Sequence, residues 1–173
     1  MDIYLRSLEI KDLDEYWEVG FERPDKDVNY YTGTTNNPSK EEIQKFIEKS
    51  SSDEERKHFL ICNNKDEIIG EIVLIDIDEE YKSCSYRIAL FSKKYFNKGI
   101  GYKATKEVLK YAFKNLGLHR VELEVFDYNP RAKAMYEKCG FREEGIKRDA
   151  LFINDKFYNV HIMSILSGEF MED

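Results

Sequence analysis

Two short segments of this 173-residue chain hold residue types at spacings that suit chemistry. The first is Phe96-Asn97-Lys98-Gly99-Ile100-Gly101-Tyr102. Glycine lets the backbone turn tightly and approach a ligand closely, and a helix beginning near Gly101 offers unpaired N–H groups and a positive dipole end to an anion. With Lys98 adding a cation, the segment reads as a cradle for a pyrophosphate. No Gly-Lys-Ser/Thr follows, which excludes a P-loop, and the third glycine and downstream acid of a dinucleotide fingerprint are out of place. Taken alone, G-x-G ahead of a helix is as readily an ordinary tight turn.

The second segment runs from Asp127 to Phe141. Asn129-Pro130 suits a helix start, with Asn as cap and Pro in the first helical position, and Gly140 suits its end. Ala132, Met135, Tyr136 and Cys139 fall at i, i+3, i+4 and i+7, which turns Tyr136 to the inward face. A lone inward tyrosine is by default a core residue whose hydroxyl finds a backbone partner. Its pairing with a phosphate cradle weighs against that default.

The elements that must position these segments can be read in order. Ile3 to Ile10 reads as a strand, and a helix follows from Lys11 with acidic residues in its first turn. Pro24 to Pro38 reads as a long loop, a kind of segment that is often functional. Ser39 and Glu42 form a capping box ahead of Ile43, Phe46 and Ile47 at helical spacing. Phe59 to Cys62, Ile68 to Ile75 and Cys84 to Phe91 read as an antiparallel meander. Val108, Leu109, Ala112, Phe113 and Leu116 make an apolar helical stripe that stops at Gly117, and Val121, Leu123 and Val125 then alternate as on a half-buried strand. Two further strands flank the turn Asn154-Asp155-Lys156. The fold class is mixed α/β (α+β), helices on a mostly antiparallel sheet. No Pro-rich or Gly/Ser linker divides the chain, so residues 1–173 read as one domain.

Composition bounds the function. With 42% apolar and 14% aromatic residues the chain has ample core material, and 27 Lys and Arg against 34 Asp and Glu leave a net charge of −7. That balance argues against a nucleic-acid partner and suits a small cationic one. The apolar runs are too short to cross a membrane and the N-terminus lacks a secretory pattern. Cys62, Cys84 and Cys139 are widely spaced without a C-x-x-C pair, and His58, His119 and His161 lack ligand spacing, which points to reduced buried thiols, a cytoplasmic protein and no metal. A homo-oligomer stays open.

Together the two segments resemble the GCN5-related N-acetyltransferases, the GNAT superfamily, over roughly residues 57 to 166. The resemblance implies a central, mostly antiparallel sheet with a splayed strand pair, flanked by helices on both faces, and an enzyme that moves acetyl from acetyl-CoA to a primary amine. It puts Phe96 in a slot that is usually Gln or Arg. The backbone of Asn97, Lys98, Gly99, Ile100, Gly101 and Tyr102 would cradle the pyrophosphate. It makes Tyr86-Arg87-Ile88-Ala89-Leu90 the splayed strand, whose backbone, chiefly at Ile88 and Leu90 to either side of Ala89, pairs with the pantetheine arm. It matches Asn129 to a cofactor contact, sets Arg131 and Lys133 near the cofactor phosphates, and gives Tyr136 the role of general acid. Many relatives carry a glutamate base where this chain has Tyr86, which leaves a water relay or Glu71 on the neighbouring strand, though Glu71 reads more readily as a solvated strand position than as a base. Glu143 to Val160 resembles the ribosomal-protein N-terminal and the spermidine (polyamine) acetyltransferase branches. The acceptor is then a small amine such as spermidine, with a peptide N-terminus or a non-catalytic acyl-CoA sensor as alternatives.

Overall fold

Seven segments with strand-type patterning form β1 Ile3–Ser7, β2 Lys57–Asn63, β3 Ile68–Asp78, β4 Ser83–Leu90, β5 Arg120–Phe126, β6 Arg142–Ile153 and β7 Lys156–Leu166. The computed structural model describes residues 1–172 and joins these strands into one sheet in the order β1-β2-β3-β4-β5-β7-β6. Every neighbouring pair is antiparallel except β4 and β5. Near-continuous apolar runs in β3, such as Ile72-Val73-Leu74, follow from its place mid-sheet, where both faces are covered.

Helices pack on both faces. On one face α4 (Ile100–Lys110) and α5 (Pro130–Cys139) close a core that includes Ile72, Leu74, Tyr86, Val108, Leu109 and Val121. On the other, α1 (Leu13–Trp17) and α3 (Lys40–Ser50) bury Tyr16, Ile43 and Ile47 against Leu60 and Cys62. The capping box at α3 is present as the sequence implies: the Glu42 N–H donates to Ser39 Oγ and the Ser39 N–H to Glu42 Oε2. Cys62, Cys84 and Cys139 are all buried, and none of them forms a disulfide among the described residues. Among the described residues no helix is long and apolar enough to cross a membrane.

Three departures from the sequence reading have local causes. The stretch from Pro24 to Pro38 holds a two-turn helix, α2 (Lys26–Thr32), where only a loop was expected. Only Val28 in it is buried, so no apolar stripe marks it, yet Asp25 caps its start and left-handed Gly33 ends it. The first helix is broken into a 3₁₀ turn at Ile10–Asp12, α1, and a wide π-type turn at Glu18–Glu22. Finally, β3 runs on to Asp78, past the expected end at Ile75, because the ladder with β4 resumes at Asp78 and Ser83 after a bulge.

Candidate active site

The single parallel pairing in the sheet is also its defect. β4 and β5 pair only from Ser83–Ser85 to Arg120–Glu122 and then part, while β4 stays on β3 to Leu90 and β5 stays on β7 to Phe126. The Phe91 N–H donates to the Ile69 carbonyl at 3.0 Å, directly opposite it. Alternation then gives Arg87 and Ala89 to β3 and turns the N–H and C=O groups of Tyr86, Ile88 and Leu90 into the gap. A row of unspent backbone groups facing a cleft can take an extended amide-bearing chain as an added strand.

The gap opens toward the glycine turn. Asn97 and Gly99 both have left-handed backbone, φ +59° and +73°, and Gly99 is the N-cap of α4. The first helical bond is Lys103 N–H to Gly99 O, 3.1 Å, so the N–H groups of Ile100 and Gly101 lie ahead of it. A Cβ at Gly99 would meet nothing within 4 Å, which leaves the approach to those amides open. Buried Ile100 anchors the turn, half-buried Tyr102 packs against the core, and exposed Lys98 has no ion-pair partner among the described residues. These features fit a pyrophosphate-bearing co-substrate: converging amides, a positive helix end, a cation and free space.

Phe96 ends the short 3₁₀ turn Lys93–Tyr95 and carries no donor, but its ring carries one for it. The Arg131 guanidinium stacks 3.6 Å from the centre of the Phe96 ring and 5.1 Å from that of Tyr31. Lys133 is engaged elsewhere: its Nζ lies 2.6 Å from Glu143 and 3.5 Å from His161 Nδ1. Asn129 is buried, its Oδ1 accepting the Ala132 N–H (3.2 Å) to cap α5 and its Nδ2 donating to the Tyr31 carbonyl (3.4 Å). Of the expected cofactor contacts, the structure therefore gathers the turn, β4 and Arg131, and spends the side chains of Asn129 and Lys133 on other partners.

Tyr136 stands on α5 with its ring edge-on to Tyr86 (5.9 Å) and to Phe141 (5.8 Å). Tyr86 is itself fixed by a hydrogen bond with Thr105 Oγ1 (2.7 Å), which donates to the Gly101 carbonyl (2.7 Å). The Tyr136 side chain is 7% exposed, and its hydroxyl makes no hydrogen bond among the described residues while not being sealed from solvent. Burial pushes its pKa well up, so it stays a neutral O–H donor.

The opposite face of β4 holds a second feature. Ala89 and Phe91 of that face, with Glu71 directly opposite Ala89 on β3, line a pocket closed by α2 and the residues around it, including Asn29, Thr34 and Asn36. α2 is tied across the splay: the Asp25 carboxylate accepts the Lys93 N–H (2.8 Å), and Tyr128 donates to the Tyr30 carbonyl (3.0 Å). Glu71 Oε2 accepts hydrogen bonds from the Tyr16 hydroxyl and from His58 Nε2, the latter at 2.8 Å. Burial raises the Glu71 carboxyl, but the hydrogen bonds from His58 and Tyr16 and the charge of Arg87 outweigh it and hold it below its ordinary value. Tyr16 and His58 carry no local signal, because only the tertiary fold brings them to Glu71: the β2–β3 register sets His58 opposite Val73, two residues along the strand from Glu71, and Tyr16 arrives from α1. A larger hollow beyond Phe91, lined by Val19, Arg23 and Lys94, reaches neither Glu71 nor Tyr136.

Comparison with known proteins agrees with this geometry. The family model for the acetyltransferase (GNAT) domain matches residues 2–142. The spermidine N(1)-acetyltransferase of Vibrio cholerae is 30% identical over 131 residues, covering 76% of this chain and 75% of that protein. A crystal structure of spermidine N-acetyltransferase from the same organism, in complex with CoA and spermine, superposes with a TM-score of 0.86 at 29% identity and covers 96% of both chains. A putative ribosomal N-acetyltransferase of Bacillus subtilis is 33% identical over 104 residues, 59% of this chain and 55% of that one. With the splayed strand pair, the glycine turn and the family match in one chain, the protein belongs to the GNAT acetyltransferases, enzymes that take acetyl from acetyl-CoA to an amine.

Proposed function

We propose that this enzyme acetylates a primary amine of a polyamine such as spermidine, with the glycine turn, β4, Arg131 and Tyr136 as its donor-side machinery. The observation that carries the acceptor class is the likeness, across 96% of both chains, to an acetyltransferase solved with CoA and spermine. The net charge of −7 favours encounter with a polycation. The chemistry of the cleft supports direct transfer. An alkyl ammonium, with a pKa of about 10, must shed a proton before its nitrogen attacks the thioester carbonyl. Backbone N–H groups turned into the gap at Ile88 and Leu90 would stabilise the oxyanion of the tetrahedral species. As that species collapses, the C–S bond breaks and Tyr136 gives its proton to the leaving thiolate. The phenolate then recovers a proton from the new amide nitrogen through solvent, so the reaction nets amine plus acetyl-CoA to amide plus CoA.

The test is acetyl-CoA turnover against spermidine, glucosamine and a set of peptides with free N-termini. Spermidine should give the highest kcat/KM, and a peptide preferred over it would move the enzyme to N-terminal acetylation. Tyr136→Phe should lower kcat by about 100-fold or more and leave CoA binding and thermal stability unchanged, since the hydroxyl has no hydrogen-bond partner to lose among the described residues. Unaltered turnover in that variant removes Tyr136 from the reaction.

A further inference from the structure

The geometry points to Glu71 as the docking carboxylate for the acceptor: its Oε1 receives the incoming ammonium group on the face of β4 opposite Tyr136. This rests on the reading of the protein as an amine acetyltransferase and assigns the acceptor's seat within it. The two oxygens of Glu71 have different fates. Oε2 takes both hydrogen bonds, from Tyr16 and from His58, whereas Oε1 accepts none among the described residues and is not sealed from solvent. The His58 ring is pinned by the same contact, with Nδ1 buried and without a partner among the described residues. Two donors from α1 and β2 thus hold one oxygen of the carboxylate and leave the other without a hydrogen bond among the described residues, on a side chain that lines the pocket.

That pocket is suited to an amine. Apart from Glu71 its lining is uncharged, and Asn29, Thr32, Thr34, Asn36 and Asn37 supply hydroxyl and amide groups able to accept hydrogen bonds from N–H donors. Glu71 also sits opposite Ala89, between Ile88 and Leu90, whose backbone groups turn into the splay. Successive residues of a strand face opposite ways. Tyr86 therefore packs on Tyr136 on one side of β4 while Ala89 and Glu71 meet the pocket on the other. An acceptor held at Glu71 reaches the gap from the side opposite the proton donor. Amine delivery and leaving-group protonation are thus divided between the two faces of one strand.

The charge on Glu71 is maintained rather than left to chance. The ionisable groups around it are Tyr16 from α1, His58 from β2 and Arg87 from β4, with Arg56 acting on Tyr16. Burial, and then the negative charge of Glu71, drive the Tyr16 phenol well above its ordinary value, so Tyr16 remains a donor to an ionised carboxylate. Tyr16 and His58 are in this sense positioning residues, and the ammonium contact belongs to Glu71.

The decisive variants are Glu71→Gln, Glu71→Asp and Tyr16→Phe, assayed with whichever of spermidine, glucosamine or a free-N-terminus peptide the wild-type enzyme acetylates. Glu71→Gln should raise the amine KM at least tenfold, leave the dissociation constant for CoA unchanged, and flatten the salt dependence of the amine KM, because an ion pair has been removed. Glu71→Asp, which keeps the charge, should recover part of the loss. Removing the Tyr16 hydrogen bond raises the Glu71 carboxyl, so in Tyr16→Phe the acid limb of kcat/KM for the amine should move to higher pH. An unchanged amine KM in Glu71→Gln, or an equal loss of CoA affinity, overturns the assignment. If Glu71→Gln does not fold, the Tyr16→Phe limb decides alone, and a limb that stays put overturns it. Should the wild type prefer glucosamine or a peptide, the polyamine reading fails while Glu71 is still tested on that amine. Should spermidine be acetylated with Glu71→Gln unaffected, only the docking assignment fails.

Discussion

Gly99 and Gly117 make a matched pair that separates backbone strain from cofactor binding. Both are left-handed, φ +73° and +64°, both are exposed, and a Cβ built at either meets nothing within 4 Å. Replacing either with alanine forces an L-residue into the left-handed region, a cost of about 1–2 kcal/mol. For a domain of this size that is a fall in Tm of about 2–8 °C, and the two variants should fall alike. Only Gly99 lies at the N-terminus of α4, beside the free amides of Ile100 and Gly101. There a Cβ occupies the space through which phosphate oxygens must come within about 2.9 Å of backbone nitrogens. Losing one charge-assisted hydrogen bond is worth about 1.5–3 kcal/mol, so Gly99→Ala should raise the acetyl-CoA KM about 10- to 100-fold. Gly117→Ala should leave that KM where it is. Steady-state kinetics with acetyl-CoA varied, set beside thermal melts of both proteins, read the two effects independently. Equal Tm losses with no KM difference between the variants would refute the cradle, whatever the turn's resemblance to one.

Three further outcomes follow from particular contacts. Thr105→Val strips a buried Tyr86 hydroxyl of its partner and should cost about 1–3 kcal/mol; in a Tyr86→Phe background the same change should cost much less, as a double-mutant cycle of melts will report. Glu144 is held at a pKa of about 2 by its hydrogen bonds from Arg120 and Ser164. A depressed carboxyl stabilises the fold above its unfolded value, about 4.3, and that contribution disappears as pH falls toward 2. The pair is 28% and 44% exposed, so solvent screening limits it to about 1 kcal/mol or less, and the Tm gap between wild type and Glu144→Gln should close between pH 5 and pH 2. Arg131→Ala should raise the acetyl-CoA KM several-fold, whereas Lys133→Ala should not, because Glu143 already holds the Lys133 ammonium. Equal effects in the two variants would mean that their partners do not decide which cation meets the phosphates.

Elements whose signal is local were legible in the sequence. The capping box of α3, the Asn-Pro start and Gly end of α5 and the alternation of β5 each state a structure within a dozen residues, and each is found where it was expected. The apolar stripe from Val108 to Leu116 is helical as expected, but only Val108 and Leu109 lie in α4, with Ala112 and Phe113 in a π-type turn, Tyr111–Asn115, that continues it. α2 escaped because its stability comes from elsewhere. Asp25 is tied to the Lys93 N–H, and the carbonyls of Tyr30 and Tyr31 are taken by Tyr128 and Asn129. Seven residues with one buried side chain do not announce a helix; contacts nearly a hundred residues away hold it.

The proposed site divides along the same line. Its proposed donor half comes from two contiguous motifs, so the turn and Tyr136 stand out in the chain as candidates, whereas the proposed acceptor seat is assembled from α1, β2 and β3 and has no motif. Phe96 shows why even the motif needs the fold beside it. As a residue type it removes a side-chain donor from the turn and reads as a weakened cradle. In three dimensions its ring supports the Arg131 guanidinium, with Tyr31 flanking it from α2. Partial burial lowers the Arg131 pKa, but guanidinium starts so far above neutrality that the charge persists. The donor that position 96 lacks is therefore supplied from the first turn of α5, the helix that also carries Tyr136. Stacking on Phe96 couples the two motifs directly, and Tyr31 brings α2, the element closing the acceptor pocket, against the same guanidinium. On that arrangement, Phe96→Ala would loosen Arg131 and disturb donor binding more than the loss of one apolar ring suggests, while Phe96→Gln, by returning a donor to the turn, should retain more of the acetyl-CoA affinity than Phe96→Ala does.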